Sequence, residues 1–354
     1  MSELKLGLNL GYWGIGPAGE EALEVVRHAE SHGYESVWAA ESYGSDVVSV
    51  LAWLGAQTET IKLGAAILQV PARPPAAAAM AGCTIDKLTG GRFIFGFGPS
   101  GPQVSEGWYG VPYSKPWGRT REYIEIVRQI VAREGPLEYK GEHFTLPLEA
   151  GEGKALKLNF HPERNHIPIF VGAIGRKSVE MAAEICDGWI PIFSSADAFE
   201  SVWGEHVEAG LAKGGRQRSD LEISPTVQVA IDGDLETARS VIKAGLLLYF
   251  GGMGSRKTNF YVDLAHRIGF GDVADEVQRL YQDGDREAAY EAISDEVADA
   301  TSLVGTESEV AERIERYRKA GVDRLIVSPV HLDKEQRLRT LERLAALVGV
   351  EAPA

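Results

Sequence analysis

Short apolar runs alternate with longer helical patterns along the whole of this 354-residue chain. Each run has the length and the β-branched or aromatic content of a buried strand. The predicted strands, in chain order, are Lys5–Leu10, Ser36–Ala40, Lys62–Leu68, Arg92–Phe95, Ile167–Val171, Trp189–Ile192, Glu222–Ile231 and Arg324–Ser328. Eight strands with helices between them favour a closed barrel over a doubly wound sheet, which usually has fewer strands. The sequence therefore predicts an α/β fold, a single (β/α)8 TIM barrel.

The segments between the strands have the apolar spacing and the end signals of helices. Glu20–His32 carries its apolar residues on one face, and Thr306 with Glu309 predicts a capping box at the start of a later helix. The helix-to-strand junction AESHGYESVW at residues 29–38 recurs as RKAGVDRLIV at 318–327. Such a recurrence is typical of a repeated βα unit.

Two stretches exceed ordinary loop length. One covers about residues 134–166, and the other covers about residues 250–303 and begins FGGMGSRKTNFY. We interpret both as insertions on one barrel domain that spans residues 1–354, because the strand-and-helix alternation resumes after each of them.

Composition excludes several classes of partner. The net charge of −15 would repel a nucleic-acid backbone or an anionic membrane surface. The sequence has no cleavable leader and no apolar run of membrane-spanning length, so we expect a soluble cytoplasmic protein. The only two cysteines, Cys83 and Cys186, lie in apolar contexts typical of buried thiols.

In a TIM barrel the active site lies at the carboxyl ends of the strands. Aromatic and small residues dominate these positions, which suits a flat heteroaromatic ring better than a metal or a sugar phosphate. The segments concerned are Gly11–Gly14, Glu41–Asp46, Gln69–Val70, Gly96–Gly101, Gly172–Lys177 and Pro329–His331. The eight histidines are scattered, and His28 and His32 lie at the end of a predicted surface helix, so no metal site is expected.

The segment Gly172–Gly175 is the best candidate for a phosphate site. The backbone amides of Ala173, Ile174 and Gly175 would point towards a helix that begins near Arg176, where anions are stabilised. An ordinary βα turn with an exposed Arg-Lys pair is the alternative.

The sequence GGRFIFGFGPSGPQVSEGW at residues 90–108 resembles the signature of the bacterial-luciferase-like superfamily. Its second half is similar to the actinobacterial branch of oxidoreductases that use the deazaflavin coenzyme F420 (8-hydroxy-5-deazaflavin). The segment GAAIL at residues 64–68 also matches the family.

The resemblance implies a barrel with F420 bound at its mouth. The ring would lie against a cis peptide bond between Ala66 and Ile67 and near Gly98 and Ser100, with the phosphate at Gly172–Gly175. It also implies a homodimer and hydride transfer to or from a small organic substrate, namely a carbonyl, an activated alkene or an alcohol.

The chain departs from the family after the second strand, where many members have histidine or tryptophan following the acidic residue. Here Glu41 is followed by Ser42 and Tyr43, so the proton donor stays open among Tyr43, Ser42, Glu41, Asp46 and His331. Two other functions remain as alternatives. One is a monooxygenase that uses flavin mononucleotide (FMN), and the other is a catalytically silent cofactor-binding protein.

Overall fold

The computed structural model describes residues 3–13, 19–253 and 259–352. Its strands are β1 (Lys5–Tyr12), β2 (Ser36–Ala40), β3 (Lys62–Ala65), β4 (Leu68–Gln69), β5 (Phe93–Gly98), β6 (Tyr139–Lys140), β7 (Thr145–Leu146), β8 (Ile169–Gly172), β9 (Gly188–Ile190), β10 (Glu222–Ile223), β11 (Thr226–Ile231), β12 (Ser302–Gly305) and β13 (Arg324–Pro329). Each of the eight predicted runs contains at least one strand, and β6, β7 and β12 lie outside them.

Helices fill the intervals between these strands. They are α1 (Glu20–Ser31), α2 (Val47–Gly55), α3 (Pro75–Leu88), α4 (Pro102–Ser105), α5 (Pro116–Ala132), α6 (Arg176–Ile185), α7 (Glu205–Gly214), α8 (Leu235–Leu247), α9 (Phe260–Arg267), α10 (Gly271–Gln282), α11 (Arg286–Glu291), α12 (Asp295–Ala300), α13 (Glu307–Lys319) and α14 (Lys334–Val348). Single π-helical turns at Glu200–Gly204 and Leu248–Gly252 adjoin α7 and α8. Single 3₁₀ turns form at Val70–Ala72 and Arg218–Asp220. The predicted capping box at Thr306 and Glu309 is confirmed at the start of α13.

The principal sheet is parallel and curls into a barrel. Its strands lie in the order β10–β9–β8–β5–β3–β2–β1–β13–β11–β12, with β4 beside β5. The stretch 222–231 connects the two sides of the sheet, because its first part, β10, pairs with β9 while its second part, β11, pairs with β13. A parallel bridge between Ile192 and Thr226 continues the closure. The predicted α/β barrel is confirmed.

The strand pattern differs from the sequence prediction at three places. The third run is divided at Ala66–Ile67, which separates β3 from β4. The seventh run is divided at Pro225, which has no N–H to donate to a sheet ladder. The sequence missed β12, which pairs in parallel with β11, because its apolar core is only Leu303 and Val304.

The two long stretches contain secondary structure of their own. Residues 134–166 include the antiparallel pair β6–β7, and residues 250–303 include α9 to α12. The part of the predicted second insertion at residues 254–258 lies outside the described residues, as does Gly14. A single domain with two insertions stays a prediction. Among the described helices, none has both the length and the apolar content to cross a lipid bilayer.

The core has an outer and an inner layer. The outer layer lies between strands and helices, and it includes both cysteines as buried free thiols, which confirms that prediction. The inner layer fills the barrel with side chains that come from β2, β5, β8, β9 and β13: Trp38, Ile94, Phe170, Ile190 and Ile326. Ala66 packs against this inner layer, so the barrel interior supports the strand-end segment that carries it.

Candidate active site

The carboxyl ends of β3, β5 and β8 converge on one side chain, that of Ile67. A Cβ placed on Gly98 would lie 2.1 Å from Ile67 Cδ1, and a Cβ on Gly172 would lie 3.1 Å from Ile67 Cγ2. Both glycines therefore let the backbone approach Ile67 directly. The peptide bond Ala66–Ile67 is cis, as the resemblance to the family implied. The structure thus brings four of the predicted cofactor-binding residues together at the barrel mouth.

Gln69, which pairs with Gly98 in the sheet, connects the residues around Ile67 to Ser100. The Gln69 side chain donates from Nε2 to Ser100 Oγ at 2.7 Å. Ser100 has φ +62°, and its carbonyl oxygen accepts a hydrogen bond from the Tyr113 hydroxyl at 3.0 Å. The Oε1 atom of Gln69 is buried and, among the described residues, has no hydrogen-bond partner. A buried acceptor of this kind is expected to find a donor, because leaving it unsatisfied is costly.

Glu41 is buried and its carboxylate is already engaged. It accepts a hydrogen bond from the Gln69 backbone N–H at 2.9 Å and forms an ion pair with Arg73. Arg73 also contacts Asp46 at 2.9 Å. Burial opposes the charge on Arg73, but both carboxylates favour it, so the pKa of the guanidinium is raised above its ordinary value. These contacts are those of a residue that positions the β4 segment.

Ser42 and Tyr43 follow Glu41 at the rim of the barrel. Ser42 has φ +61°, and its carbonyl oxygen accepts from the Tyr109 hydroxyl at 3.4 Å. The Tyr43 side chain is 59% exposed, which makes it the accessible hydroxyl of the segment.

A cluster of aromatic side chains at the rim was missed by the sequence analysis. The hydroxyls of Tyr12 and Tyr249 lie 3.3 Å apart, and the Tyr249 ring contacts Phe193 and Tyr261 with centroids 4.8 and 4.7 Å away. Burial, with contributions from Tyr12, Tyr261 and Tyr43, raises the pKa of Tyr249 well above its ordinary value. Tyr249 and Tyr261 follow no predicted strand, which is why the strand-end argument did not find the cluster.

His331 lies between the loops that follow β11 and β13. Its Cε1 atom is 3.5 Å from the position that a Cβ on Gly233 would take, and its carbonyl oxygen accepts from Arg337 at 3.0 Å. Burial lowers the pKa of the imidazole, against the opposing effect of Asp234 and Asp333. The side chain is therefore a neutral group near pH 7.

The predicted phosphate segment leads directly into α6. Gly175 is the N-cap residue and provides no side-chain cap, so the first N–H groups of the helix have no intrahelical acceptor. The carbonyl oxygens of the segment accept from two indoles: Ala173 from Trp189 Nε1 at 2.8 Å and Ile174 from Trp203 Nε1 at 3.2 Å. The backbone is thus fixed by its carbonyls, and its amides are the groups left for an anion.

Arg267, at the end of α9, adds positive charge beside this segment. Its Nη2 donates to the Ile174 carbonyl at 2.7 Å, while its Nη1 is buried without a hydrogen-bond partner among the described residues. Burial and the charge of Arg176 lower the pKa of the guanidinium, opposed by Asp263. Two arginines that repel each other beside uncapped amides favour an anion between them. Because Arg267 lies in the long stretch after residue 250, strand-end reasoning did not find it.

The family of the chain follows from its match to a known sequence profile. The profile of the luciferase-like monooxygenases matches residues 9–324. The chain belongs to this family. The resemblance noted at residues 90–108 is therefore confirmed.

Curated relatives and a solved structure agree with this assignment. A Mycobacterium tuberculosis protein, provisionally named a coenzyme F420-dependent oxidoreductase, is 46% identical over 344 residues, which cover 96% of this chain and 99% of that protein. The 5,10-methylenetetrahydromethanopterin reductase of Archaeoglobus fulgidus is 32% identical over 89% of this chain and 92% of its own length. The coenzyme F420-dependent tetrahydromethanopterin reductase of Methanopyrus kandleri shares the fold, with a TM-score of 0.80 at 24% identity over 97% of this chain and 98% of that one.

Proposed function

We propose that this protein is an F420-dependent oxidoreductase that transfers a hydride between the deazaflavin and a small organic substrate, namely a carbonyl, an activated alkene or an alcohol. One observation carries the proposal. At the barrel mouth, a glycine-lined apolar surface around Ile67 lies at the same strand ends as the uncapped start of α6. The 46% identity to the mycobacterial relative supports F420 as the cofactor.

The residues present fit such a cofactor. The flat ring would lie against Ala66–Ile67 and Gly98, where the glycine lets the end of β5 pack directly on Ile67. The phosphate would accept hydrogen bonds from the amides at Ala173–Gly175 and from the free Nη1 of Arg267. The unsatisfied Oε1 of Gln69 would accept from a ring N–H. When bound, the deazaflavin supplies the hydride acceptor or donor.

The protein must also hold a proton for the substrate oxygen or carbon. Glu41 and Asp46 are both engaged with Arg73, and His331 lies between two other loops, which leaves the hydroxyls of Ser42 and Tyr43. Tyr43 is exposed at the rim and near Tyr249. We therefore assign the proton donor to Tyr43, and a donor in reach accelerates such a step by about 10²–10⁴-fold.

The cofactor assignment is tested by titrating F420 and FMN separately while following their fluorescence. We expect F420 to bind more tightly. In Arg267→Met the Kd should rise by roughly 10–100-fold, because a hydrogen bond to a charged group contributes about 1.5–3 kcal/mol. Arg279→Met is the matched control, since Arg279 is a surface arginine paired with Glu276 on α10. Equal Kd values for both variants and the parent would refute the phosphate site.

A second candidate is an FMN-dependent monooxygenase, and Arg267 is the observation that favours it. FMN requires a firm basic clamp on its phosphate, and Arg267 with Arg176 gives this segment more positive charge than the sequence analysis expected. Tighter binding of FMN than of F420 would establish this alternative. Tight F420 binding without turnover on any carbonyl, alkene or alcohol would instead favour the silent cofactor-binding protein.

We also propose that the protein forms a homodimer, in line with the family precedent. Light scattering at micromolar concentration should give twice the 38.4 kDa mass of the chain. A mass equal to that of one chain would contradict this proposal.

A further inference from the structure

Three potential metal ligands meet on the outer face of the barrel, and one of them lies far from the other two along the chain. His28 and His32 lie four residues apart on α1 and its C-terminal end, and Glu342 lies on α14. Four residues is about one helical turn, so both imidazoles point from the same face. The Glu342 carboxylate lies 3.2 Å from His28 Nε2 and 3.9 Å from His32 Nε2. One ligand atom from each residue lies within 4.8 Å of the other two.

This spacing matches the demand of a tetrahedral metal centre. Zinc binds imidazole nitrogen and carboxylate oxygen at about 2.0–2.2 Å, which places neighbouring ligand atoms roughly 3.4 Å apart. The His28–Glu342 separation of 3.2 Å already meets this value, and the His32–Glu342 separation of 3.9 Å needs a shift of about half an ångström. The Glu342 and His32 side chains are 46% and 35% exposed, so an ion and a water ligand can enter from solvent.

Hydrogen bonding prepares His32 for coordination. Its Nδ1 lies 2.7 Å from the His28 carbonyl oxygen, to which it donates. The proton is therefore fixed on Nδ1, and the lone pair remains on Nε2, which faces Glu342. A backbone carbonyl that holds one ring nitrogen of a ligand histidine is a recurrent feature of metal sites.

The imidazoles of His28 and His32 lie against each other. Their ring centroids are 4.3 Å apart and their planes are tilted by 35°, so both ligand nitrogens approach Glu342 from one side of α1.

We propose that His28, His32 and Glu342 form a binding site for a divalent transition-metal ion of the zinc type, with water completing the coordination. Nitrogen and carboxylate ligands in this number select zinc, cobalt or nickel over magnesium and calcium, which prefer all-oxygen sites. The sequence analysis expected no metal site because the histidines are scattered. It did not find Glu342, which lies more than 300 residues away from His28 and His32 along the chain.

The position of this site between α1 and α14 indicates that a bound ion would stabilise the fold. It would join α1, the first helix, to α14, the last helix, beside the seam at which β1 pairs with β13. Any ligand that binds only the folded chain stabilises it. The metal would therefore resist separation of the terminal helices, at a distance from the cofactor site.

The test uses tag-free full-length protein that has been treated with a chelator. Calorimetric titration with Zn²⁺ should give one ion per chain at this site, and Co²⁺ should give the visible absorption of a tetrahedral complex. His32→Ala should weaken Zn²⁺ binding by about tenfold or more, since even supporting residues of metal sites contribute 10–100-fold. Zn²⁺ should raise the melting temperature of the parent and leave that of His32→Ala unchanged.

His161→Ala is the matched control, because His161 is an exposed histidine elsewhere on the surface. It should keep the parental affinity and the parental zinc-dependent rise in melting temperature. Glu342→Gln gives a second variant in case His32→Ala does not fold. Equal Zn²⁺ affinity in the parent, His32→Ala and Glu342→Gln would overturn the site, and binding without any rise in melting temperature would overturn its structural task.

Discussion

Glu41 offers a sharp test of whether a strand-end carboxylate positions the site or handles a proton. We predict that Glu41→Gln destabilises the fold substantially. The side chain is only 3% exposed, and it joins the Gln69 backbone to Arg73. The glutamine retains an acceptor for one of these donors but loses the charge that both of them contact.

The magnitude follows from the two contacts. A hydrogen bond to a charged group contributes about 1.5–3 kcal/mol, against about 0.5–1.5 kcal/mol for a neutral one, so two such losses amount to roughly 2–3 kcal/mol. The new amide NH₂ has to lie among donors, and Arg73 loses its buried partner, which raises the expected cost to about 2–4 kcal/mol.

Asp46→Asn is the matched control, because Asp46 contacts the same guanidinium from an exposed position. An exposed ion pair contributes about 0–1 kcal/mol, and asparagine caps a helix as well as aspartate does, so α2 keeps its N-cap. Urea unfolding measures the free energies, and F420 titration measures the cofactor Kd, which should rise in Glu41→Gln. Two results would refute the reasoning. One is a Glu41→Gln protein no less stable than Asp46→Asn, and the other is a fully stable Glu41→Gln protein that has lost turnover.

Two further predictions concern packing and pH. Gly96→Ala should lower the free energy of unfolding by about 3 kcal/mol or more, because its Cβ would lie 1.7 Å from the Ala65 carbonyl oxygen. Gly101→Ala should be neutral or slightly stabilising, because Gly101 has φ −126° and the nearest atom to its Cβ position is 3.6 Å away. Urea midpoints of the two variants check this, and similar midpoints would contradict it. Burial lowers the pKa of His331 in the folded protein below 6.5. As the pH drops below about 6.5, the imidazole is protonated in the unfolded chain before it is protonated in the folded one, so the folded state loses stability. His331→Gln should make this fall shallower, and an unchanged pH slope would show that another group causes it.

Local patterns predicted the barrel well, because the residues of each βα unit are contiguous in the chain. The resemblance to the family implied the cis peptide bond at Ala66–Ile67, and the sequence predicted the helix that begins after Gly175; the structure has both. Partners that meet only through the closed barrel could not be predicted. Arg267 reaches the Ile174 carbonyl from a helix 93 residues further along the chain.

The candidate acid Glu41 shows the complementary limit. Its position at the end of a strand was predictable from the sequence, but its engagement by Arg73 was not, because that depends on where the chain turns after β4. A residue's type and strand position therefore indicate that it faces the site, while its chemical freedom depends on neighbours from other units.

The pairing of β1 with β13 determines when this molecule can be completed during synthesis. Lys5 aligns with Arg324, so one edge of β1 has no partner until β13 is translated, more than 300 residues later. At about 5–20 residues per second, that delay is roughly 15–60 s. During this interval the N-terminal strands can pair with each other, but the free edge of β1 offers backbone groups to any other extended chain. The free edge of β1 is consequently the part of the incomplete sheet that most needs protection on the ribosome.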